Sequence, residues 1–463
     1  MKLIEARVAR SLLRTLAPLV LAAGLTACGQ GPPIVAEGTD ESTRESDAGG
    51  PESSDSPIPV EVMVDRIAYV SAAGDLFVID PDGGNLINLT GGSQVQDGPQ
   101  GRVMAQPVDF NNFYYWPTWS PDGMKLAASR VETTGLGPVV TVEVMGAAGG
   151  GGRTVYRNEV PSLVAQGAPH YLYWSPDSRQ LAFLASTPQA FALLVADTQA
   201  PDSALVVETG APLYFHWGAG GEKLLLHTGD DLKLAENPVA VGSADLAEVG
   251  QGFRVPALSP SGDQMAYISL DGQNSALFIA ETGRMDSARV ILEVVPPAAF
   301  AWSPEGGDLA VVDRQNASSP VFDRLRVVSA DGGKVQTLLD EAIVAFFWSP
   351  QGDKIAWVRL QAEQRAFQWK TSAVDGADVR ELFTYQPSAD ALTMLTFFDQ
   401  YAYSHSPWSP DGARLVVAGT QTETFGRRNG ETPRGDRVYI LDAAGGAPPK
   451  ELAQGNLAFW SWN

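Results

Sequence analysis

One short phrase returns eight times along this chain: a tryptophan or near substitute, a tight turn, then a small apolar strand. The clearest copy is Trp119-Ser120-Pro121-Asp122-Gly123, followed by Lys125-Leu126-Ala127. Others begin at Trp174, Trp217, Leu258, Trp302, Trp348 and Trp408, and a shortened copy begins at Trp460. A strand-built period of roughly 40–60 residues means a circular or stacked array, a propeller or a solenoid, because no single unit can bury its own apolar face.

The turn is legible residue by residue. Ser at the first position, Pro at the second and Gly at the fourth suit a type I turn, with Pro pre-setting φ and Gly free to take positive φ. Such a turn with a glycine bulge is a common hairpin connection. Phe347-Trp348 then reads as one strand and Ile355-Ala356-Trp357-Val358 as its partner. A third strand follows, as at residues 75–79, 277–279 and 438–440. A polar turn such as Asp82-Gly83-Gly84 or Asp331-Gly332-Gly333 leads to a fourth, as at residues 85–90. Four antiparallel strands per repeat make a propeller blade.

Counting sets the blade number. The strand after the turn begins near Ile67, Leu126, Leu181, Leu224, Met265, Leu309, Ile355 and Leu415. The first of these has no partner upstream, and Phe459-Trp460-Ser461-Trp462 has none downstream. Pairing the two orphans closes a ring and leaves no open ends. The expected fold is therefore all-β, an eight-bladed propeller closed by pairing the C-terminal strand with the N-terminal blade. Trp217-Gly218-Ala219-Gly220-Gly221 has lost the Ser-Pro of the turn, so seven blades is the alternative count.

The Trp-Ser-Pro-Asp-Gly phrase with its following Leu-Ala resembles the TolB-type, WD-like propeller repeat, also found in propellers of prolyl-oligopeptidase relatives. The resemblance covers residues from about 60 onward and implies fold alone. It departs from TolB in expected blade number, six in that family, and in that no N-terminal α/β domain is expected. It departs from the peptidases in carrying no G-x-S-x-G elbow and no expected hydrolase domain.

The N-terminus is the second strong signal. Lys2, Arg7, Arg10 and Arg14 precede an apolar run over residues 16–25, which reads as a secretory signal. The run is short for a membrane span. Leu25-Thr26-Ala27-Cys28 resembles a bacterial lipobox, which implies cleavage before Cys28 and a diacylglyceryl thioether on its sulfur. An ordinary signal, or an anchor helix with an incidental cysteine, is the competing reading. Cys28 is the only cysteine, so no disulfide can form within the chain. The expected organisation is a signal peptide over 1–27, a lipidated Cys28 with an acidic tether over 28–59, and the propeller over 60–463. The tether lacks aromatics and cannot bury enough apolar surface to fold. Its root-mean-square span is roughly 30 Å.

The formal net charge of −22 argues against nucleic acid, whose phosphates need a basic footprint. Secretion and membrane anchoring through the lipid are expected, with the propeller extracytoplasmic and monomeric. Four connections are long, at residues 91–117, 130–138, 386–407 and 420–436, and all lie on one face of neighbouring blades. Long loops on a rigid scaffold concentrate binding function. The first gathers Phe110, Phe113, Tyr114, Tyr115 and Trp116, and the third Phe397, Phe398, Tyr401 and Tyr403. The fourth carries Arg427, Arg428 and Arg434, with Arg437 at the next strand. Clustered aromatics suit a protein or sugar partner, and the arginines suit a carboxylate or other anion. The competing readings are aromatics buried as plugs and arginines neutralising Glu423 and Glu431.

No catalytic set, cofactor motif or metal-ligand spacing stands out; His170 and His405 precede inner strands, while His216 and His227 fall within strands. The expected function is a non-catalytic binding or scaffold module for a protein, peptide or cell-envelope polymer. The alternative is a carbohydrate-active or peptide-processing enzyme using the funnel, with His170, His405 and the arginines as candidates.

Overall fold

The computed structural model describes residues 65–91, 112–135, 137–158, 170–238, 242–250, 255–271, 274–422 and 435–462. Within them the recurring turn is built as its residues dictate. Ser120 Oγ accepts from Lys125 N at 2.9 Å and donates to Asp122 Oδ1 at 2.6 Å, while Gly123 N closes onto Ser120 O at 2.9 Å. Gly123 takes φ +70°, the left-handed region where a side chain is disfavoured. The degenerate copy keeps the backbone half of this design. Gly218 N donates to Lys223 O at 2.8 Å and Gly221 N to Gly218 O at 2.9 Å. The fourth repeat therefore still completes a sheet of Leu213–Trp217, Lys223–Thr228, Asp231–Glu236 and Ala244–Glu248.

Among the described residues five four-stranded sheets and one ten-stranded sheet result, with every pairing antiparallel. The ten-stranded sheet runs from Ile343–Trp348 to Ile87–Asn88 and contains the ring closure. Its strand Lys450–Trp460 serves two neighbours. Val438 pairs with Ala453 in its first half, and Ile67 pairs with Trp460 in its second. Ser461 N extends that closure by donating to Arg66 O at 2.8 Å.

Six of the repeated tryptophans tie their repeat to the preceding one. Trp174 Nε1 donates to Thr118 O at 3.1 Å and Trp217 Nε1 to Tyr173 O at 3.0 Å. Trp302 reaches Ala257 O, Trp348 reaches Ala301 O and Trp408 reaches Phe347 O, each at 3.2 Å. In every case the acceptor is the residue just before the preceding repeat's motif position. Trp119 Nε1 makes the same bond to Phe459 O across the closure, also at 3.2 Å. At Leu258, where no indole exists, the backbone N donates instead to His216 Nδ1 at 3.2 Å. This is the ring of a β-propeller, and the indoles form its inter-blade seams.

Three expectations about strands and loops change. Residues 85–90 give only the short strand Ile87–Asn88, because Asn88 Oδ1 takes the Thr90 and Gly91 amides, both at 3.0 Å, and ends the ladder. Residues 130–138 are a hairpin rather than a loop: Lys125–Thr134 and Gly137–Gly146 pair through to Thr134 and Gly137. Phe113, Tyr114, Tyr115 and Trp116 lie in the strand Asn112–Trp119, which extends the same sheet. The outer strands other than Ile87–Asn88 share a further device, a register shift against the third strand, as at Leu193/Leu194, Leu325/Arg326 and Val438/Tyr439. Bulges of this kind twist an exposed edge away from pairing with another chain.

Candidate functional site

The connection over residues 386–407 does not stand up as a rim. It turns inward and fills the centre of the ring. Helix α1 spans Ala389–Thr396 and starts at Ser388, whose Oγ caps Ala391 N at 3.1 Å. Ala391, Met394 and Leu395 form its buried stripe at helical spacing. A single-turn helix α2, Phe398–Tyr401, follows, and all four of its residues are buried.

Its aromatic side chains touch inner strands on opposite sides of the ring, which places the segment at the centre. Phe398 packs on Phe346 with centroids 4.9 Å apart and edge-on to Phe322 at 6.4 Å. Tyr401 stacks on Trp116 at 4.9 Å and 10°, and meets Tyr171 edge-on at 5.5 Å. Tyr403 lies edge-on to His216 at 4.3 Å, and its hydroxyl accepts from Trp302 N at 2.9 Å. Ser404 O accepts from Thr118 Oγ1 at 3.1 Å, and His405 packs edge-on to Phe459 at 4.6 Å.

Two receiving residues have unusual backbones. Trp116 and Tyr171 take φ +54° and +53°, each three positions before its motif tryptophan. The ladder slips beside both, between Tyr115 and Thr118 and between His170 and Tyr173. A bulge re-aims a side chain, and left-handed φ in a bulky residue is held only by its surroundings.

Burial sets the electrostatics. It drives His216 and His405 down to about 3, so both imidazoles are neutral at pH 7. His405 Nδ1 is 2.7 Å from Ser404 Oγ, while its Nε2 and that of His216 have no partner among the described residues. Burial pushes the Tyr171, Tyr173, Tyr401 and Tyr403 hydroxyls well above their ordinary range. Burial and then the nearby Asp436 carboxylate raise Asp390.

The expected site residues thus separate. Trp116, Phe398, Tyr401 and Tyr403 meet at the centre. Phe398 and Tyr401, 1% and 2% exposed, show no face to solvent, because they pack against inner strands. Tyr114 is turned to its own sheet, its hydroxyl donating to Glu143 Oε2 at 3.0 Å while Arg130 bonds the same carboxylate at 3.1 Å. Phe113 and Tyr115 are half-buried neighbours 5.8 Å apart, and Phe397 is a half-buried residue at the end of α1. Of the histidines in the enzyme alternative, His405 is 1% exposed, and His170 stacks on Phe191 at 5.8 Å in the sheet of the third repeat. Cys28, Phe110, Arg427, Arg428 and Arg434 lie outside the described residues. Sequence reasoning missed Tyr171, Phe215, Phe346 and Phe459 as centre-lining groups. Their signal was an aromatic one to three positions before a motif tryptophan. Among the described residues no cluster of three or more His, Cys, Asp or Glu could hold a metal, and no helix is long and apolar enough to cross a membrane.

The fold and this centre define a β-propeller whose axis is occupied by its own chain. No protein-family model and no curated protein matches it. Its structural neighbours include TolB proteins and other β-propellers. TolB from Acinetobacter baumannii is 14% identical, with a TM-score of 0.38 over 72% of this chain and 81% of that one. The propeller domain of the trilobed protease from Pyrococcus furiosus is 9% identical, with a TM-score of 0.45 over 75% and 99%. A structure described as the eukaryotic initiation factor is 13% identical, with a TM-score of 0.50 over 87% and 99%, a likeness of fold alone.

Proposed function

We propose that the protein is an eight-bladed propeller acting as a non-catalytic binding or scaffold module. It is held outside the cytoplasm by a lipid on Cys28, and its partner is a protein, peptide or envelope polymer. Eight blades are supported by the five separate sheets together with three strand sets inside the ten-stranded one. The observation that carries the binding reading is the filled centre. Residues 388–405 occupy the space where a propeller funnel would admit a small substrate, which favours engagement of a larger partner over turnover of a small molecule.

Two experiments test it. Fatty-acid labelling and fractionation should show a labelled, membrane-bound protein, and Cys28→Ser should release it unlabelled. Crosslinking in intact cells should capture a partner, and Ala at Arg427, Arg428 and Arg434 together should weaken that capture. Turnover of a glycan or peptide by the purified protein, abolished by chelation, would sink the non-catalytic reading.

A further inference from the structure

The central segment looks at first like ordinary core, but three of its features do not belong to permanent filling. The first is how it is attached. Ser388 N donates to Ala418 O at 3.1 Å, and Pro407 O accepts from Val416 N at 2.8 Å. Both anchors sit two residues apart on the strand Arg414–Gln421. The excursion therefore leaves and rejoins the ring at one place, and it can be lifted without unzipping any blade.

The second is its composition. Asp399, Gln400, Ser404 and His405 are 9%, 5%, 4% and 1% exposed, and His405 Nε2 has no partner among the described residues. Filling an apolar centre calls for apolar side chains, since each buried polar group must find a partner or carry a desolvation penalty. Polar residues suit a segment that also spends time in water.

The third is the seat. Trp116 and Tyr171 present two aromatic surfaces to the Tyr401 ring, one stacked and one edge-on. Both receiving residues hold a left-handed backbone. The seat thus grips a flat ring from two sides, which is how an aromatic side chain is recognised. Strained backbone concentrates where a ligand is clamped.

We propose that residues 388–405 are a displaceable internal ligand, and that the seat of Tyr401 between Trp116 and Tyr171 recognises an aromatic side chain on a segment of a protein partner. This deepens the binding reading given above and rests on it. The partner's aromatic ring replaces Tyr401, and the displaced segment stays tethered to the strand Arg414–Gln421 at both of its ends.

Hydrogen exchange on the full-length protein tests displacement directly. Amides of α1 and α2 should exchange at least 100-fold faster than those of the inner strands Leu213–Trp217 and Ile343–Trp348, because they open locally. Equal protection overturns the proposal. Recognition is tested in a chain where a short Gly-Ser bridge replaces residues 389–405. A synthetic peptide of residues 388–407 should bind it, at least tenfold more weakly when the peptide carries Tyr401→Ala or the chain carries Trp116→Ala. A folded bridge variant that ignores the peptide, or binds all versions equally, overturns it as well. If that variant does not fold, the exchange comparison decides alone. Both measurements use this chain only, so their failure leaves partner capture from cells standing, and an absent partner leaves them standing.

Discussion

Trp119 and Phe459 are 340 positions apart, yet the indole Nε1 of the first donates to the carbonyl of the second at 3.2 Å. Its acceptor holds the same place in the repeat as in the bonds that join Trp174 to Thr118 and Trp348 to Ala301, so the C-terminal strand meets the second repeat through the contact used at other seams. Ring closure is in this sense another seam. Its strength comes from the pairing of Ile67–Ser71 with Lys450–Trp460 and from aromatic burial on both sides.

The seams differ in one respect that can be measured. Trp408→Phe keeps most of the buried ring but removes the bond to Phe347 O, whose ladder partner Ala356 remains. A hydrogen bond of this kind is worth about 0.5–1.5 kcal/mol net. Trp460 is buried to the same extent, 2% exposed against 1% for Trp408, but its Nε1 finds no acceptor among the described residues, and the Arg414 guanidinium lies over its ring at 4.9 Å. Trp460→Phe removes a donor that bonds to nothing, so its cost should be smaller than that of Trp408→Phe. Urea unfolding of the two variants side by side checks the difference.

How much of this was readable beforehand depends on the range of the cause. The turns were legible because Ser120, Asp122 and Gly123 act on one another within a few residues. The fourth repeat looked degenerate, yet Gly218 and Gly221 supply the backbone bonds that the lost Ser-Pro supports elsewhere. Residues 130–138 read as a long connection in the sequence, but nothing local marks where strand pairing stops, and it runs on to Thr134 and Gly137. The inward turn of residues 388–405 was the least legible feature. The spacing of Ala391, Met394 and Leu395 marks a helical stripe, but what that stripe meets is set by strands far away in sequence, such as Ile343–Trp348 and Lys450–Trp460.

Phe398 is the apolar anchor of that segment. Phe346, Phe347 and Phe322 surround it, and 1% of its surface is exposed. Phe398→Ala opens a cavity that these rings cannot close, and such truncations cost about 3–5 kcal/mol. If the centre opens locally, the loss should appear first as faster exchange in α1 and α2, ahead of any change in the inner strands. Exchange rising uniformly over the whole ring would contradict this.

Acid should weaken the fold through the two buried imidazoles. Their pKa in the folded protein is about 3, against 6.5 for the ordinary group. The unfolded chain therefore takes up protons first as pH falls. The stabilisation is complete above about 6.5 and is lost progressively down to about 3. At pH 5 each histidine should cost about 2 kcal/mol relative to neutral pH. Asp390 acts in the opposite sense: its raised pKa makes its contribution most favourable when protonated and less so as pH rises through it. Replacing both His216 and His405 by Asn keeps an acceptor near each Nδ1 position. It should lower stability at pH 7.5 but flatten the slope between pH 7 and 5, as followed by urea midpoints.

Gly419 controls the point where the central segment leaves the ring. The strands Arg380–Pro387 and Arg414–Gln421 pair there, with Pro387 opposite Gly419. A Cβ on Gly419 would lie 2.1 Å from Gln386 O and 2.8 Å from Pro387 Cα, both backbone atoms that cannot swing aside. Gly419→Ala must therefore separate the two strands and shift Ser388, whose amide is anchored on the neighbouring Ala418. Overpacking against fixed backbone costs about 1–3 kcal/mol. The damage should be local, with exchange accelerating at Tyr385, Ser388 and α1 while the sheet containing Leu213–Trp217 keeps its protection. Gly455 offers the control, since a Cβ there would meet Val70 O at 2.6 Å on the far side of the closure. Gly455→Ala should loosen the pairing of Lys450–Trp460 with Ile67–Ser71 and lower the unfolding midpoint, without selectively exposing α1.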